Sequence, residues 1–425
     1  MGSYWIETLG CAKNQVDSDK LAGRFAADGL VRATGPQRAD VVVVNTCAFI
    51  EAARAESIES VLTLDDRRKS DSRLVVTGCM AQRYGEELAA AFPEVDQVAG
   101  FGVPVQLTAK PAGAGVDVAK FDLLNLPRPS SSSPWAYVKI AEGCDRTCGF
   151  CAIPSFRGKQ NSRTVESILE EVDALHAREI VLVAQDLASF GRERKQAGSI
   201  VGLIRAVAER VERVRCLYLY PSDLSDDLIE AIGSSTVAYF DLSLQHVSKP
   251  LLRRMRRWGD GDRFLRRIDD IRDRYPHAAF RSNFIVGYPG ETEADHDQLL
   301  AFLEAAQLDW CGFFTFSNEE GTYAAGLGDQ VPAGLMDERL RECNEIQDRA
   351  TMARRTALIG TDIDVLVDEP GVARSFREAP EIDGIVEVPT RLAVGDFHTV
   401  RVTGVQGPDL AAQSILSLAS EGGAA

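Results

Sequence analysis

Basic residues are scarce in this chain, and histidines scarcer. Among 425 residues, 47 Lys and Arg stand against 63 Asp and Glu, a net charge of −16. That balance favours solubility and argues against long non-specific contact with a phosphate backbone, though it leaves room for a local basic site. The five histidines, His176, His246, His277, His296 and His398, show no paired metal-ligand spacing. There is no P-loop and no nucleotide-binding G-x-G-x-x-G. No apolar run approaches the ~20 residues of a membrane span. The first residues, Met-Gly-Ser-Tyr-Trp-Ile-Glu-Thr-Leu, lack a basic region followed by an apolar stretch, so no secretory signal is expected. No internal repeat of solenoid period is visible. These absences leave a soluble cytoplasmic protein as the expectation. There thiols stay reduced, and clustered cysteines are more often ligands than disulfides.

What is present is cysteine in a pattern. Six of the nine fall into two sets of three. Cys144, Cys148 and Cys151 form a compact C-x3-C-x2-C in E-G-C-D-R-T-C-G-F-C. Cys11, Cys47 and Cys79 are dispersed, in L-G-C-A-K-N, V-N-T-C-A-F-I and V-T-G-C-M-A-Q. A cubane [4Fe–4S] cluster normally takes four thiolates, so three leave one iron open for a substrate or cofactor.

Length suggests about three domains, and the patterning agrees. Residues 1–125 alternate short apolar runs (Tyr4 to Leu9, Val41 to Val44, Leu74 to Val76) with helical patterns (Asp17 to Asp28, Ala52 to Leu64). A parallel, flavodoxin-like α/β domain is expected. Residues 126–134 contain a Pro/Ser linker. Residues 135–357 carry six strand-like runs: Ala136 to Ile140, Ile180 to Ala184, Cys216 to Tyr220, Phe240 to Leu244, Phe280 to Val286 and Cys311 to Phe316. Helical stretches separate them, which predicts a partial (β/α)6 TIM-type barrel. Leu335 to Leu358 reads as one or two helices. Residues 358–425 show short alternating strands, expected to form a small OB-like β-barrel.

In barrel-type α/β domains the chemistry lies at the C-terminal strand ends, and Cys144 follows the first barrel strand by a few residues. Three thiols on one loop can hold three corners of a cubane, and Phe150 could shield it. A structural zinc site remains the alternative, though no second C-x2-C knuckle or His pair accompanies it. The dispersed cysteines each follow an apolar strand. If those strands are neighbours, the thiols converge on one sheet edge; read singly, each could be a small buried hydrophobe. Cys216, Cys311 and Cys343 read as core or incidental. Gln185-Asp186 and Gln245-His246 are rim polar groups at strand ends, with ordinary strand-end capping as the alternative.

The compact triad resembles that of the radical S-adenosylmethionine (SAM) superfamily. The resemblance implies that SAM chelates the open iron and is reductively cleaved to methionine and a 5′-deoxyadenosyl radical. It also implies that Ile285-Val286-Gly287-Tyr288-Pro289-Gly290-Glu291 contains the adenine contact. Gly287, Gly290 and Glu291, with Gln185, Asp186 and Gln245, are then expected around the cofactor. Both triads, in this order ahead of a β-barrel, resemble the methylthiotransferases, with a methylthiotransferase domain, a radical SAM domain and a TRAM domain. That implies a second [4Fe–4S] cluster on Cys11, Cys47 and Cys79 for sulfur delivery, and SAM used as both methyl donor and radical source.

Two branches of that family compete: one modifies an adenosine beside a tRNA anticodon, the other an aspartate of small-subunit ribosomal protein uS12. Leu9-Gly10-Cys11-Ala12-Lys13-Asn14, Asn45-Thr46-Cys47-Ala48-Phe49-Ile50, Ile153-Pro154-Ser155-Phe156-Arg157-Gly158, Ala184-Gln185-Asp186 and Leu244-Gln245-His246 resemble the uS12 branch. Ala12 and Ser243 depart from it, each standing where a Pro is common. The resemblance implies hydrogen abstraction from the aspartate β-carbon and attack there by sulfur. It implies an electron donor of flavodoxin or ferredoxin type, a sulfur source, and a monomer that meets uS12 or the small subunit.

From residue 361 the tail has eleven acids, including Asp362, Asp364, Asp368, Glu369, Glu378, Asp383 and Glu421, against Arg374, Arg377, Arg391 and Arg401. An acidic barrel suits a basic protein better than RNA; a merely solvated acidic surface is the alternative. Alternation should put Asp362, Asp364 and Asp368 on one polar face. The basic stretch Arg253 to Arg274 is expected to be an exposed helix face. A tRNA-modifying enzyme and a non-catalytic Fe–S protein associated with the ribosome remain the rivals.

Overall fold

The first sheet is set by Val41 to Val44, a β-branched run without a polar face, which suits a strand covered on both sides. A computed structural model describes residues 2–106, 121–195, 199–234 and 237–415. Residues 107–120 of the expected first domain, and Glu421 in the tail, lie outside the described residues. The strands are β1 (Ser3–Thr8), β2 (Val31–Arg32), β3 (Val41–Thr46), β4 (Arg73–Gly78) and β5 (Gln97–Ala99), all parallel in the order β2-β1-β3-β4-β5. Helices α1 (Ala12–Ala27), α2 (Glu51–Arg67) and α3 (Cys79–Ala91) connect them. Helix α1 starts five residues before the expected Asp17. Its first turn turns polar Lys13 and Asn14 inward, so no apolar periodicity announces it.

The Pro/Ser segment is pinned, not slack. Arg128 is almost fully enclosed and pairs with Asp19 at 2.9 Å and Glu171 at 3.0 Å. Beyond it β6 (Trp135–Lys139) begins a second parallel series. The short antiparallel pair β7 (Ala141–Glu142) and β8 (Asn161–Ser162) follows, with α4 (Ile153–Arg157) and α5 (Val165–Leu175). Next come β9 (Glu179–Val183), α6 (Ser199–Ala208), β10 (Arg213–Cys216), α7 (Asp226–Gly233) and β11 (Tyr239–Gln245). Helices α8 (Lys249–Arg254) and α9 (Gly261–Arg274), β12 (Ala279–Val286), α10 (Glu293–Ala306) and β13 (Trp310–Thr315) complete it.

Two three-stranded sheets, β10-β9-β6 and β11-β12-β13, are joined by the single bridge Leu219 to Leu242. The result is an open six-stranded barrel. The expected strand Cys216 to Tyr220 is corrected here. The continuous strand is Arg213–Cys216 and pairing resumes only at the Leu219 bridge, because Tyr218 takes φ +65°, where L side chains rarely sit. Residues 333–356 form one helix, α11 (Ala333–Thr356).

The tail is a closed five-stranded barrel of β14 (Asp362–Glu369), β15 (Val372–Arg374), β16 (Val386–Glu387), β17 (Phe397–Gln406) and β18 (Asp409–Ser414). Val365, Val367, Val400, Val402 and Leu410 fill it. Its segment 375–383 crosses the bottom of the six-stranded barrel. Tyr137 Oη donates to Pro380 O at 2.9 Å, Tyr239 Oη to Asp383 Oδ2 at 2.6 Å, and Trp310 Nε1 to Arg377 O at 2.7 Å. The barrel lumen is shared: Val16 of α1 and Ala379 of this segment join Tyr137, Val181, Val183, Leu217 and Tyr239 in one apolar cluster, beside the buried charges of Lys139, Glu179 and Arg215.

Two sequence expectations about charge change. Strand β14 departs from alternation, with Val365, Leu366 and Val367 all buried; Asp368 forms a part-buried pair with Arg374 at 3.0 Å, so only Asp362 and Asp364 of that trio lie on open surface. Glu378 is likewise enclosed with Arg355, and Asp383 with Arg281 at 2.6 Å. The exposed tail stays acidic, with Asp362, Asp364, Glu369, Glu381, Glu387 and Asp396 against Arg391 and Arg401. Within the basic stretch, Arg257 is buried, not exposed.

Candidate functional site

The dispersed cysteines meet because β1, β3 and β4 are adjacent and in register, with Thr8 opposite Asn45 and Thr46 opposite Gly78. Cys47 and Cys79 follow β3 and β4 directly, and Cys11 caps α1. Gly10 shows how close two of these loops run: a Cβ there would lie 2.9 Å from Cys47 Sγ. Gly78, at φ +91° and ψ −158°, takes a conformation essentially reserved for glycine, and a Cβ would meet Thr46 O at 2.5 Å.

Asn14 stitches the three loops together. Fully buried, its Nδ2 donates to Leu9 O at 2.8 Å and Thr46 O at 3.1 Å, while its Oδ1 lies 3.7 Å from Cys79 Sγ. Asn45 Nδ2 donates back to Asn14 O at 2.8 Å. Sequence reasoning quoted both asparagines inside motifs without giving them a role. A buried amide three residues after Cys11 was the available signal.

The compact set lies on the loop after β7. Cys144 N donates to Gly158 O at 3.1 Å, Cys151 N to Cys148 O at 3.1 Å, and Gly149 N to Met255 O at 2.8 Å. Gly149 leaves no room for a side chain, since a Cβ would meet Tyr288 Oη at 2.7 Å. Tyr288 belongs to the Gly287–Glu291 motif, so the structure brings that motif against the cysteine loop. Arg257, unmarked by any motif, donates from Nη1 to Cys148 Sγ at 3.2 Å and stacks 4.3 Å from the Tyr220 ring.

The remaining candidates divide. Gln185 and Asp186 sit at the end of β9. Gln185 Nε2 donates to Glu142 Oε1 at 2.7 Å, and Asp186 Oδ2 accepts from Arg146 Nε at 2.6 Å and Ser189 Oγ at 2.6 Å. Gln185 Oε1 and Asp186 Oδ1 are buried without a partner. Gln245 ends β11 at φ +71°, a strained position of the kind found at ligand sites. Gly287 and Gly290 also have positive φ. Glu291 points inward: its carboxylate accepts the Gly287 amide and lies 3.6 Å from His246 Nε2 and 3.5 Å from Arg339 Nη1. It therefore holds the turn that carries Gly287.

Electrostatics differ between the thiols. Burial pushes Cys47 and Cys144 up to about 11 and Cys151 up to about 12. Burial raises Cys11 too, but Lys13, Arg157 and two backbone amides outweigh it and the thiol ends below its ordinary value. Among the described residues, no three His, Cys, Asp or Glu side chains converge closely enough to hold a single metal ion. A cubane puts each thiolate on a different iron. Both sets offer sulfur donors alone, the donor type that such clusters take. The two unpartnered acceptors at the rim suit a cofactor carrying amino and hydroxyl donors.

The fold and this pair of sites define a three-part radical SAM protein. Residues 3–100 match an uncharacterised protein family (UPF0004), 138–303 the radical SAM superfamily, and 359–415 the TRAM domain. A curated protein of Kineococcus radiotolerans, ribosomal protein uS12 methylthiotransferase RimO, is 38% identical, with 97% of each chain covered. The protein of that name in Moorella thermoacetica is 41% identical over 94% of this chain and 96% of its own. The one in Aquifex aeolicus is 38% identical over 97% of both. The chain belongs to the RimO family of methylthiotransferases.

Proposed function

We propose that this chain adds a methylthio group to the β-carbon of an aspartate in ribosomal protein uS12. The observation that carries the reading is the placement of two three-cysteine sets, one at the rim of the open barrel and one on the adjoining sheet edge. Cys144, Cys148 and Cys151 would hold one [4Fe–4S] cluster, and Cys11, Cys47 and Cys79 a second. With SAM bound, such a cluster supplies the electron that cleaves it reductively.

The residues around these sets bind and orient. Gln185 and Asp186 offer their free oxygens to the cofactor's donors. Gly287 and Gly290 let the backbone approach it, and Glu291 fixes their turn. Asp186 and Asp223 hold Arg146, which lies between Cys144 and Cys148. Six exposed acids on the tail barrel offer a surface to a basic protein. A division at about residues 125, 134 and 357, a cytoplasmic setting, a flavodoxin- or ferredoxin-type electron donor, a sulfur source and a monomeric state belong to the same reading. Among the described residues no helix is long and apolar enough to cross a membrane.

The test is mass spectrometry of ribosomal proteins and tRNA from cells without the gene. Loss of the methylthio group from uS12, with tRNA unchanged, is expected. Loss from tRNA adenosine, with uS12 still modified, would move the protein to the tRNA branch.

A further inference from the structure

Arg157 belongs to the radical SAM region, yet its guanidinium ends among the dispersed cysteines. It is the last residue of α4, the helix that starts two residues after Cys151. Its Nη2 donates to Cys79 Sγ at 2.9 Å and to Asn14 Oδ1 at 2.8 Å; its Nη1 donates to Glu142 Oε1 at 2.8 Å. The Phe101 ring lies 4.4 Å away and the side chain is 1% exposed, so water does not compete for these bonds. Glu142 accepts in turn from Gln185 Nε2 at 2.7 Å and Lys139 Nζ at 2.7 Å. Three consecutive hydrogen bonds thus run from Gln185 at the barrel rim, through Glu142 and Arg157, to Cys79.

We propose that Arg157 is a positioning residue that ties the auxiliary site to the radical site and sets the reduction potential of the cluster on Cys11, Cys47 and Cys79. The proposal rests on that cluster assignment. A thiolate accepting a charge-assisted hydrogen bond donates less electron density to its iron, which stabilises the reduced, more negative cluster. A fixed cation beside the thiolate acts in the same direction. Removing Arg157 must therefore lower the potential. Lysine would keep the charge and lose the planar fork that reaches Glu142, Asn14 and Cys79 together. Arg257 makes the corresponding bond to Cys148 on the other set, so the two arginines should act separately.

The experiment uses the full chain, reconstituted without oxygen, in two backgrounds. Cys144→Ala, Cys148→Ala and Cys151→Ala together leave only the auxiliary set; Cys11→Ala, Cys47→Ala and Cys79→Ala leave only the compact one. Each background is titrated electrochemically, followed by electron paramagnetic resonance, with Arg157 native, as Arg157→Gln and as Arg157→Lys. In the first background, Arg157→Gln is expected to move the midpoint to more negative potential and Arg157→Lys to move it less. In the second, neither should move it. An unchanged auxiliary midpoint, or equal shifts in both backgrounds, overturns the proposal. If Arg157→Gln does not fold or load iron, the sign of the Arg157→Lys shift decides alone. If the first background binds no iron with Arg157 native, where about four irons are expected, the failure lies in the ligand assignment instead.

Discussion

Cys144, Cys148 and Cys151 come from one loop, whereas Cys11, Cys47 and Cys79 come from the ends of three strands. The first set is local: the chain need only fold back through Gly143 and Gly158, both at positive φ, to present three thiols. The second is topological: it exists only when β1, β3 and β4 pair in register. Its glycines are constrained across strands, since Gly10 and Gly78 press on the neighbouring cysteine loop, whereas Gly143 presses on Gly158 and Lys159 of its own loop. A local site can form before the domain is complete. A site spread over a sheet edge reports whether the whole sheet is formed, and it needs bridging side chains such as Asn14 to keep its parts together.

The most severe way to break this comparison is to remove ligands from each set in turn. Cys148→Ala should lower iron from about eight to about four per chain and abolish reductive SAM cleavage. Cys11→Ala, Cys47→Ala and Cys79→Ala together should leave 5′-deoxyadenosine formation possible and eliminate methylthio product. Product at normal yield from that triple variant would falsify the auxiliary role.

A smaller lesion tests local against topological assembly. Gly78→Ala forces a side chain into a glycine-only conformation, at a cost of about 1–3 kcal/mol before any overlap. It should lose iron from the auxiliary set alone. Gly143→Ala, whose Cβ would lie 2.6 Å from Gly158 O, should lose it from the compact set alone. Iron content and visible absorbance after reconstitution of each variant decide the matter; equal losses would erase the distinction.

Away from both sites, Glu179 at the barrel bottom sharpens the contrast by its distance from the chemistry. Burial raises its carboxyl, but Arg374 at 3.0 Å and Arg215 at 2.8 Å outweigh this and hold it at about 2. A depressed carboxyl stabilises the fold above its unfolded value of ~4.3, and that stability is lost as pH falls towards 2. Glu179→Gln should cost roughly 3–5 kcal/mol at neutral pH, because two buried arginines lose a partner. It should also flatten the acid-unfolding curve between about pH 4 and 2. Denaturant melts at several pH values measure both.

The smallest effect is at the surface. Reversing Asp362, Asp364 and Glu369 to Lys should weaken uS12 binding at ~0.1 M salt. The difference should shrink at ~1 M, where the Debye length falls to about 3 Å. Binding titrations at the two salt concentrations, with tRNA as the contrast, read it out. Asp362 is already paired with Arg401 at 2.7 Å, so part of the reversal only breaks an exposed ion pair.

Much of this was legible in the chain because it rests on periodicity and spacing. Helix α10 begins and ends where its apolar pattern does, at Glu293 and Ala306. The six barrel strands lie within a few residues of their apolar runs. What stayed illegible depends on tertiary partners. The strained Tyr218 carries no sequence mark, and 3.4 Å from its ring stands Lys13, a residue from another domain. Arg257 and Arg157 look like any surface arginine until the fold encloses them. The tail's acids could be counted, but which of them face inward depends on segment 375–383. The motif groups Glu291 with the cofactor, and its contacts with His246 and Arg339 are visible only in the packing.

That segment has a consequence for how the parts of this chain can be exchanged. Val16 of α1 and Ala379 of that segment both pack into the lumen cluster of the six-stranded barrel. The middle domain has its own core between strands and helices, but its lumen is filled in part by its neighbours. Cutting the chain after α11 would expose Tyr239, Arg281 and Glu179 in an opened cavity and leave their charges without Asp383 and Arg374. The three regions can be told apart by their sequence patterns but not lifted out one at a time. A hybrid carrying another protein's tail would have to supply its own stopper, matched residue by residue to the floor it seals.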